Sequence, residues 1–449
     1  MENKKVISYV QYALKLKVKS PLCVSGGADD MTDCDVQKDF DGNPFIPGTS
    51  LAGALRGYLE ECAKNPRDID KVFGYSEGSE GTMSKVQVSD LCFADEDGDA
   101  STKVITRDGI RLKNKLTVKG GKFDMEAIDT GAVCYSYLLL TIREGDDQEK
   151  FEALVEQTLS GLKYGEIRLG ANKNRGFGEM DILEAKKKTF SSENIQEWLA
   201  FDRKEFLESK DGKNILMLEE PEESRYLTIQ VPLKQKGGIS IRQYSVKPDE
   251  PDYTHITSNN CPVIPGSSWN GAIRSRVEEI LAQLGVDSPK AYTDMWFGYV
   301  KEEQSDAQQS NIVISESIIE GGVDLSMTRT KINRYDASVV KGALYSEKSH
   351  FMGTLVLEIK VRKNYYDEGG AQQKDNGEQY EPIVGMLLIA LKDIQNGYLA
   401  VGGQTAVGRG IFEGNGSIKL TGTKKDEDYY IGQVGVLLQR RRADEGNGN

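Results

Sequence analysis

An eleven-residue stretch occurs twice in this 449-residue chain, as Ile46-Pro47-Gly48-Thr49-Ser50-Leu51-Ala52-Gly53-Ala54-Leu55-Arg56 and again as Ile264-Pro265-Gly266-Ser267-Ser268-Trp269-Asn270-Gly271-Ala272-Ile273-Arg274, and nothing else constrains the fold as strongly. Seven of the eleven positions are identical. Such a repeat, 218 residues apart, implies two like folding units rather than one enlarged core. In each copy Pro-Gly makes a turn and Thr or Ser stands ready to give an N-cap oxygen. Apolar residues then recur at helical spacing: Leu51, Ala54, Leu55, Leu59 and Cys62 in the first, Trp269, Ala272, Ile273, Val277 and Ile280 in the second. The expectation is a turn running into an amphipathic helix. Its open N–H groups, glycines that let a ligand approach, and an Arg within two turns suit a phosphate.

With the repeat as a ruler, further landmarks fall into register. Phe73-Gly74 returns as Phe297-Gly298, and the loop Gly170-Ala171-Asn172-Lys173-Asn174-Arg175-Gly176-Phe177-Gly178 returns as Gly402-Gly403-Gln404-Thr405-Ala406-Val407-Gly408-Arg409-Gly410. The offsets drift from 218 at Ile46 to 224 at Gly74 and 232 at Gly176, as loop insertions in a duplicated sequence would make them. Alternation predicts strands over 9–19, 85–92, 132–142 and up to 184, with a helix over 148–162. The second half repeats this with strands over 226–233, 311–319 and 353–361 and a helix over 383–394. A polar excursion interrupts each half, from Asp95 to about Asp129 and from Glu320 to Phe351. We expect domains at 1–188 and 224–436, a charged connecting segment at 189–223 and a disordered tail at 437–449. Each half reads strand, helix, two strands, helix, strand, a ferredoxin-like (RRM-like) α+β unit of the kind many RNA-recognition modules share.

Composition removes several chemistries. Only His255 and His350 are present, too few for a Ser-His-Asp triad or a two-His ribonuclease to be attractive, and the six cysteines form no Cys-x-x-Cys pair. The formal charge of −13 argues against a uniformly basic nucleic-acid surface. The cations are instead concentrated: Lys103, Arg107, Arg111, Lys113, Lys115, Lys119 and Lys122 lie in the first excursion, and Arg329, Lys331, Arg334 and Lys341 in the second. That is where a phosphate backbone would run. No apolar run approaches a membrane span and no secretory signal is seen, so no membrane is expected and the cytoplasm is the expected compartment.

The helix start, the Phe-Gly and the glycine loop, twice over and in order, resemble the repeat-associated mysterious protein (RAMP) superfamily of CRISPR systems. The likeness is nearest to the backbone subunits that line guide RNA in type III effector complexes, here as a tandem fusion of two. The resemblance implies that the helix start and glycine loop of each unit grip guide-RNA phosphates, and that the excursion forms a long thumb hairpin wedged between guide and target. Carried onto this sequence, the RNA-binding positions are Ser50, Arg56, Lys173, Asn174, Arg175, Arg107, Arg111 and Lys113 in the first half. In the second they are Ser268, Asn270, Arg274, Arg329, Lys331, Arg334, Gln404 and Arg409. The implied partners are guide RNA, complementary target RNA and the other effector subunits: further backbone subunits, a large subunit and a small subunit.

Members of this family that cut target RNA carry an Asp in the loop before the helix, here the acidic run Asp29-Asp30-Met31-Thr32-Asp33-Cys34-Asp35. Counting back from Ile46 places Asp33 there, with Asp30 or Asp35 as alternatives. Such a carboxylate would hold a divalent metal, with magnesium expected, or orient the ribose, so that a 2′-hydroxyl attacks its own phosphate in line. In the second half Asp252 is nearest by distance from the Pro-Gly turn, but the loop carries two prolines, Pro248 and Pro251, and cutting is expected less there. His255, alone in that loop, is expected to be neither acid/base nor RNA contact. The expected function is therefore an RNA endonuclease subunit with its active site in the first domain. The alternatives are a non-catalytic guide-RNA scaffold and processing of the guide precursor.

Overall fold

The computed structural model describes residues 4–25, 34–62, 65–78, 80–93, 102–113, 116–221, 224–244, 251–300, 307–366, 372–373 and 380–446. It is an α+β protein that divides into two compact units, Met1–Lys173 with Phe177–Ser224, and Asn174–Gly176 with Arg225–Asn449. Each has its own hydrophobic core.

In the first unit the central strand is β1 (Val6–Val18), in which Tyr12, Leu14, Leu16 and Val18 alternate into the core. The chain continues through α1 (Gly48–Glu61), α2 (Pro66–Phe73), β2 (Val86–Val88), the hairpin strands β3 (Val104–Lys113) and β4 (Leu116–Ile128), β5 (Val133–Arg143), α3 (Gln148–Lys163) and β6 (Met180–Ser191). The antiparallel order across the sheet is β6, β1, β5, β2, with Leu14 opposite Ala185 on one side and Ser136 on the other, and Val86 opposite Leu140. Leu51, Leu55 and Tyr58 of α1, with Phe151, Val155 and Leu159 of α3, close the core. The stretch 189–223 carries short helices at Ile195–Leu199 and Arg203–Glu208, and Trp198 stacks on Tyr9 of β1 at 4.8 Å.

The second unit follows the same order: β7 (Tyr226–Gln235), α4 (Gly266–Gln283), α5 (Pro289–Phe297), β8 (Ile312–Ile314), the hairpin strands β9 (Val323–Ile332) and β10 (Val339–Phe351), β11 (Thr354–Arg362), α6 (Tyr380–Gln395), β12 (Phe412–Gly414), β13 (Lys419–Thr421) and α7 (Glu427–Gly446). Its sheet runs β8, β11, β7, β12, with β13 also on β7. Both excursions are long antiparallel hairpins, paired from Val104 and Ile128 in the first and from Val323 and Phe351 in the second.

Three expectations need correction. The helices α2 and α5 were not foreseen, although Asn65 caps α2 from its side chain and Pro stands first in both. The strand expected over 85–92 is two short pieces, Val86–Val88 and Leu91–Cys92, and that over 311–319 divides likewise. The tail is not disordered from 437: α7 crosses that boundary and runs to Gly446, because Tyr430 and Val434 bury on α6 while Tyr429 Oη and Lys425 Nζ both bond the buried Glu381. Among the described residues no helix is long and apolar enough to cross a membrane.

Candidate nucleic-acid interface

The repeated helix start is built differently from the sequence expectation. Pro47 and Pro265, not Thr or Ser, occupy the N-cap positions, and neither helix has a side-chain cap. In the first unit the Asp90 carboxylate supplies what Thr49 and Ser50 do not, accepting the Gly48 N–H at 2.7 Å. Glycine is required here for packing rather than for ligand approach. A Cβ at Gly48 would lie 2.4 Å from the Val88 carbonyl oxygen, and one at Gly266 2.2 Å from that of Ile314, so each helix begins against the end of the neighbouring strand. Ser50 and Ser268 are half-buried beside it, and Asn270 is buried.

The repeated Arg is a clamp. Arg56 donates to the Gly74 carbonyl and to Asp70 at 2.8 Å, with Glu60 a third partner, and Arg274 donates to the Gly298 carbonyl at 2.9 Å and to Asp294. One guanidinium thus ties the first helix of each unit to the second helix and to the Phe-Gly that ends it. Both guanidiniums already carry carboxylate partners.

The glycine loops repeat bond for bond. Leu169 N–H donates to the Gly178 carbonyl, Gly178 N–H to Pro21 and Ala171 N–H to Cys23. In the second unit Val401 donates to Gly410, Gly410 to Gly238 and Gly403 to Ser240. Gly178 (φ +81) and Gly410 (φ +70) admit no Cβ, which would stand 1.9 and 1.8 Å from the Leu169 and Val401 carbonyl oxygens. The tips are 3₁₀ turns, Lys173–Arg175 and Thr405–Val407; Lys173 and Arg175 are exposed and Asn174 half-buried. Gln404 and Arg409, assigned to RNA by the resemblance, both turn inward to Glu347.

On the first hairpin Arg107 is buried at 5% exposure, opposite Met125 of β4. Arg111 and Lys113 lie on β3 with side chains outside the described residues, as does all of Lys115. On the second, Lys331, Arg334 and Lys341 are exposed, and Tyr335 beside them is 90% exposed. Arg329 faces Glu347 at 3.2 Å.

Asp30 and Asp33 lie outside the described residues, while Asp35 is half-buried. The flanks nevertheless set a register between the units. Ser25 bridges Val36 and Gln37 N–H donates to Val24, as Arg242 pairs His255 and Ile256 N–H donates to Ile241. Counting back three residues from Val36 and from His255 reaches Asp33 and Asp252. Asp252 is exposed, with Oδ2 accepting the Ser346 N–H at 2.7 Å and its hydroxyl at 3.2 Å, which pins the loop to β10. Behind it the chain's two histidines meet, ring centroids 6.3 Å apart. Burial, helped by His350, pushes His255 down to about 4, against a smaller pull from the Val263 carbonyl, which is not aligned for a hydrogen bond since His255 Nε2 is left without a partner. His350 is held between Asp324 at 2.8 Å and the Gly321 carbonyl at 3.0 Å. Nothing in the sequence signals that these histidines, 95 residues apart, stack.

The model of the RAMP superfamily matches residues 15–181 and again 248–413. The chain belongs to the RAMP superfamily. The two matched regions fall one in each half, as expected of a tandem RAMP protein, and membership points to a CRISPR-associated subunit, in a family that includes some ribonucleases. No curated protein matches the chain.

Proposed function

We propose that this RAMP protein is a double backbone subunit of a type III CRISPR effector complex, that it lines guide RNA, and that it cuts complementary target RNA. The observation that carries the reading is the register of the flanking residues, in which Val36 and His255 take equivalent places, so that counting back three residues along the sequence reaches Asp33 in one half and Asp252 in the other. Further support comes from the sheet order: numbering the strands of each unit by position, both run four, one, three, two, the order of a ferredoxin-like unit. The exposed Lys331, Arg334, Lys341 and Tyr335 suit a hairpin that meets a sugar-phosphate chain and its bases. The carboxylate at each site would accept the proton of a target 2′-hydroxyl and hold it in line with the neighbouring phosphorus. The metal proposed is magnesium, with Asp33 as its ligand; among the described residues no three His, Cys, Asp or Glu side chains converge as a metal-holding group. The partners proposed are the other backbone, large and small subunits, in the cytoplasm.

A scaffold without cleavage is the second reading, favoured by one fact: Ser346 already occupies one oxygen of Asp252. The test is to reconstitute the chain with its co-encoded partners and guide, and to follow end-labelled complementary RNA in magnesium and in chelator. Asp33→Ala and Asp252→Ala are each expected to remove one discrete product with binding kept. Cuts that survive both substitutions would leave the scaffold reading standing.

A further inference from the structure

The second unit carries a buried carboxylate where the first has none. Glu347 on β10 is 1% exposed, yet it faces three residues that the resemblance gave to RNA: its Oε2 accepts from Gln404 Nε2 at 2.5 Å, and its Oε1 faces Arg329 Nη2 at 3.2 Å and Arg409 Nη2 at 3.8 Å. Neither guanidinium is aligned for a hydrogen bond to that oxygen, since Oε1 has no hydrogen-bond partner, and Arg409 Nε and Gln404 Oε1 are buried without one as well. Arg409 is held in place by other means, lying over the Phe351 ring at 4.8 Å with Nη2 3.5 Å from Met327 Sδ. The contact is therefore charge against charge in fixed positions, with little hydrogen bonding to lose.

The first unit shows the same place without the carboxylate, and there the buried Arg107 stands opposite Met125. Leu22 bridges Ile128 as Ile239 pairs with His350, which puts Met125 where Glu347 stands. The glycine loop, in register throughout, puts Asn172 (φ 55) where Gln404 (φ 58) stands and Phe177 where Arg409 stands. There Asn172 Nδ2 rests on Met125 Sδ at 3.3 Å, and Phe177 packs with Cys23 and Ala127.

We infer that Glu347 is a built-in counter-ion that withholds the positive charge of Arg329 and Arg409 from RNA, and so sets the second unit's grip on the strand weaker than its cations alone would make it. This rests on the RNA-binding reading above. Desolvated charges interact strongly at this range, and a carboxylate fixed between two guanidiniums cancels about one of their charges toward any phosphate outside. Arg329, the more exposed of the pair, remains within reach of a strand along the hairpin. Glu347 acts through the arginines and is a positioning residue; it does not touch the ligand.

Glu347→Gln keeps the shape and removes the charge, and the unpartnered Gln404 Oε1 lets that amide turn to accept from the new one. The assay is anisotropy of a fluorescein-labelled single-stranded oligouridylate with the full chain, over a tenfold range of salt. Freed of its counter-ion, the pair should engage about one more phosphate, so the slope of log K against log salt steepens by about 0.7 and the variant's advantage shrinks about fivefold per tenfold rise in salt. Arg409→Gln should flatten the wild-type slope by a similar amount, and the double variant should return to wild type. If wild type binds and Glu347→Gln has its slope, or if the double variant matches Arg409→Gln, the inference is overturned. A double variant that fails to fold overturns it too, since Glu347 would then hold the fold rather than tune the grip. No binding by wild type would instead remove the RNA reading on which it rests.

Discussion

Lowering the pH through the range just below neutrality should destabilise the second unit through His255. His255 is buried, its Nδ1 accepts the Ile241 N–H at 3.2 Å, and its proton affinity in the folded chain is pushed down to about 4 by burial and by His350. An unfolded His titrates near 6.5. Between those two values the unfolded chain takes up a proton that the folded chain refuses, so stability is complete above 6.5, falls as pH drops, and levels off below about 4. The interval of about 2.5 units corresponds to roughly 3 kcal/mol at 1.36 kcal/mol per unit. Asp324, the other titratable group at the pair, opposes burial through its bonds to His350 and Lys348 and ends up below the ordinary carboxylate range, so its own loss of stability begins only at lower pH. The assay is urea denaturation by tryptophan fluorescence in a Trp198→Phe background, which leaves Trp269 and Trp296, both buried in the second unit. The comparison is with His255→Asn, whose side-chain oxygen keeps an acceptor for Ile241 and does not titrate. Stability of His255 relative to that variant should decline by roughly 3 kcal/mol from pH 7.5 to 4. Parallel curves for the two proteins across that range would refute the reasoning.

Three other outcomes follow from the same structure. Gly410→Ala and Gly178→Ala, each forcing a Cβ onto a carbonyl at positive φ, should cost on the order of 3 kcal/mol by thermal melting, whereas Gly271→Ala, with nothing within 4 Å inside α4, should gain about 0.5–1 kcal/mol. Arg274→Ala should lower the melting temperature of the second unit by removing the tie to Asp294 and Gly298, while leaving the salt dependence of RNA binding unchanged; a flatter slope with unaltered stability would return that Arg to the RNA surface. Maleimide at neutral pH should label the exposed Cys92 and Cys261 and spare Cys23, a fully buried thiol pushed up to about 12 by burial and by Cys34 beside it at 3.4 Å, until the chain is unfolded.

What could be read from the sequence was whatever repeats or alternates. The Tyr12, Leu14, Leu16, Val18 alternation marks β1 as a core strand, and the duplicated Pro-Gly, Phe-Gly and glycine-loop landmarks mark two units. Helix α3 came within a residue of its expected end, because Phe151, Val155, Leu159 and Leu162 all lie on one face. What could not be read was which partner each polar residue would choose. Arg56 and Arg274 look like phosphate ligands because they stand near a helix start, and only the unforeseen helices α2 and α5 bring Asp70 and Asp294 to them. Gln404 and Arg409 look like loop contacts for RNA until the chain returns from the hairpin with Glu347.

These two cases differ in what they imply for binding. The Arg56 and Arg274 clamps occur in both units on the same carbonyl, so they belong to the architecture and would be present in either unit whatever it bound. The Glu347 contact occurs in one unit only; in the other Met125 stands at that position, opposite the buried Arg107. A carboxylate buried at this position in one copy and replaced by Met125 in the other is not a requirement of the shared architecture. It is explained if the two units hold one strand with unequal strength, the second releasing it more readily than the first.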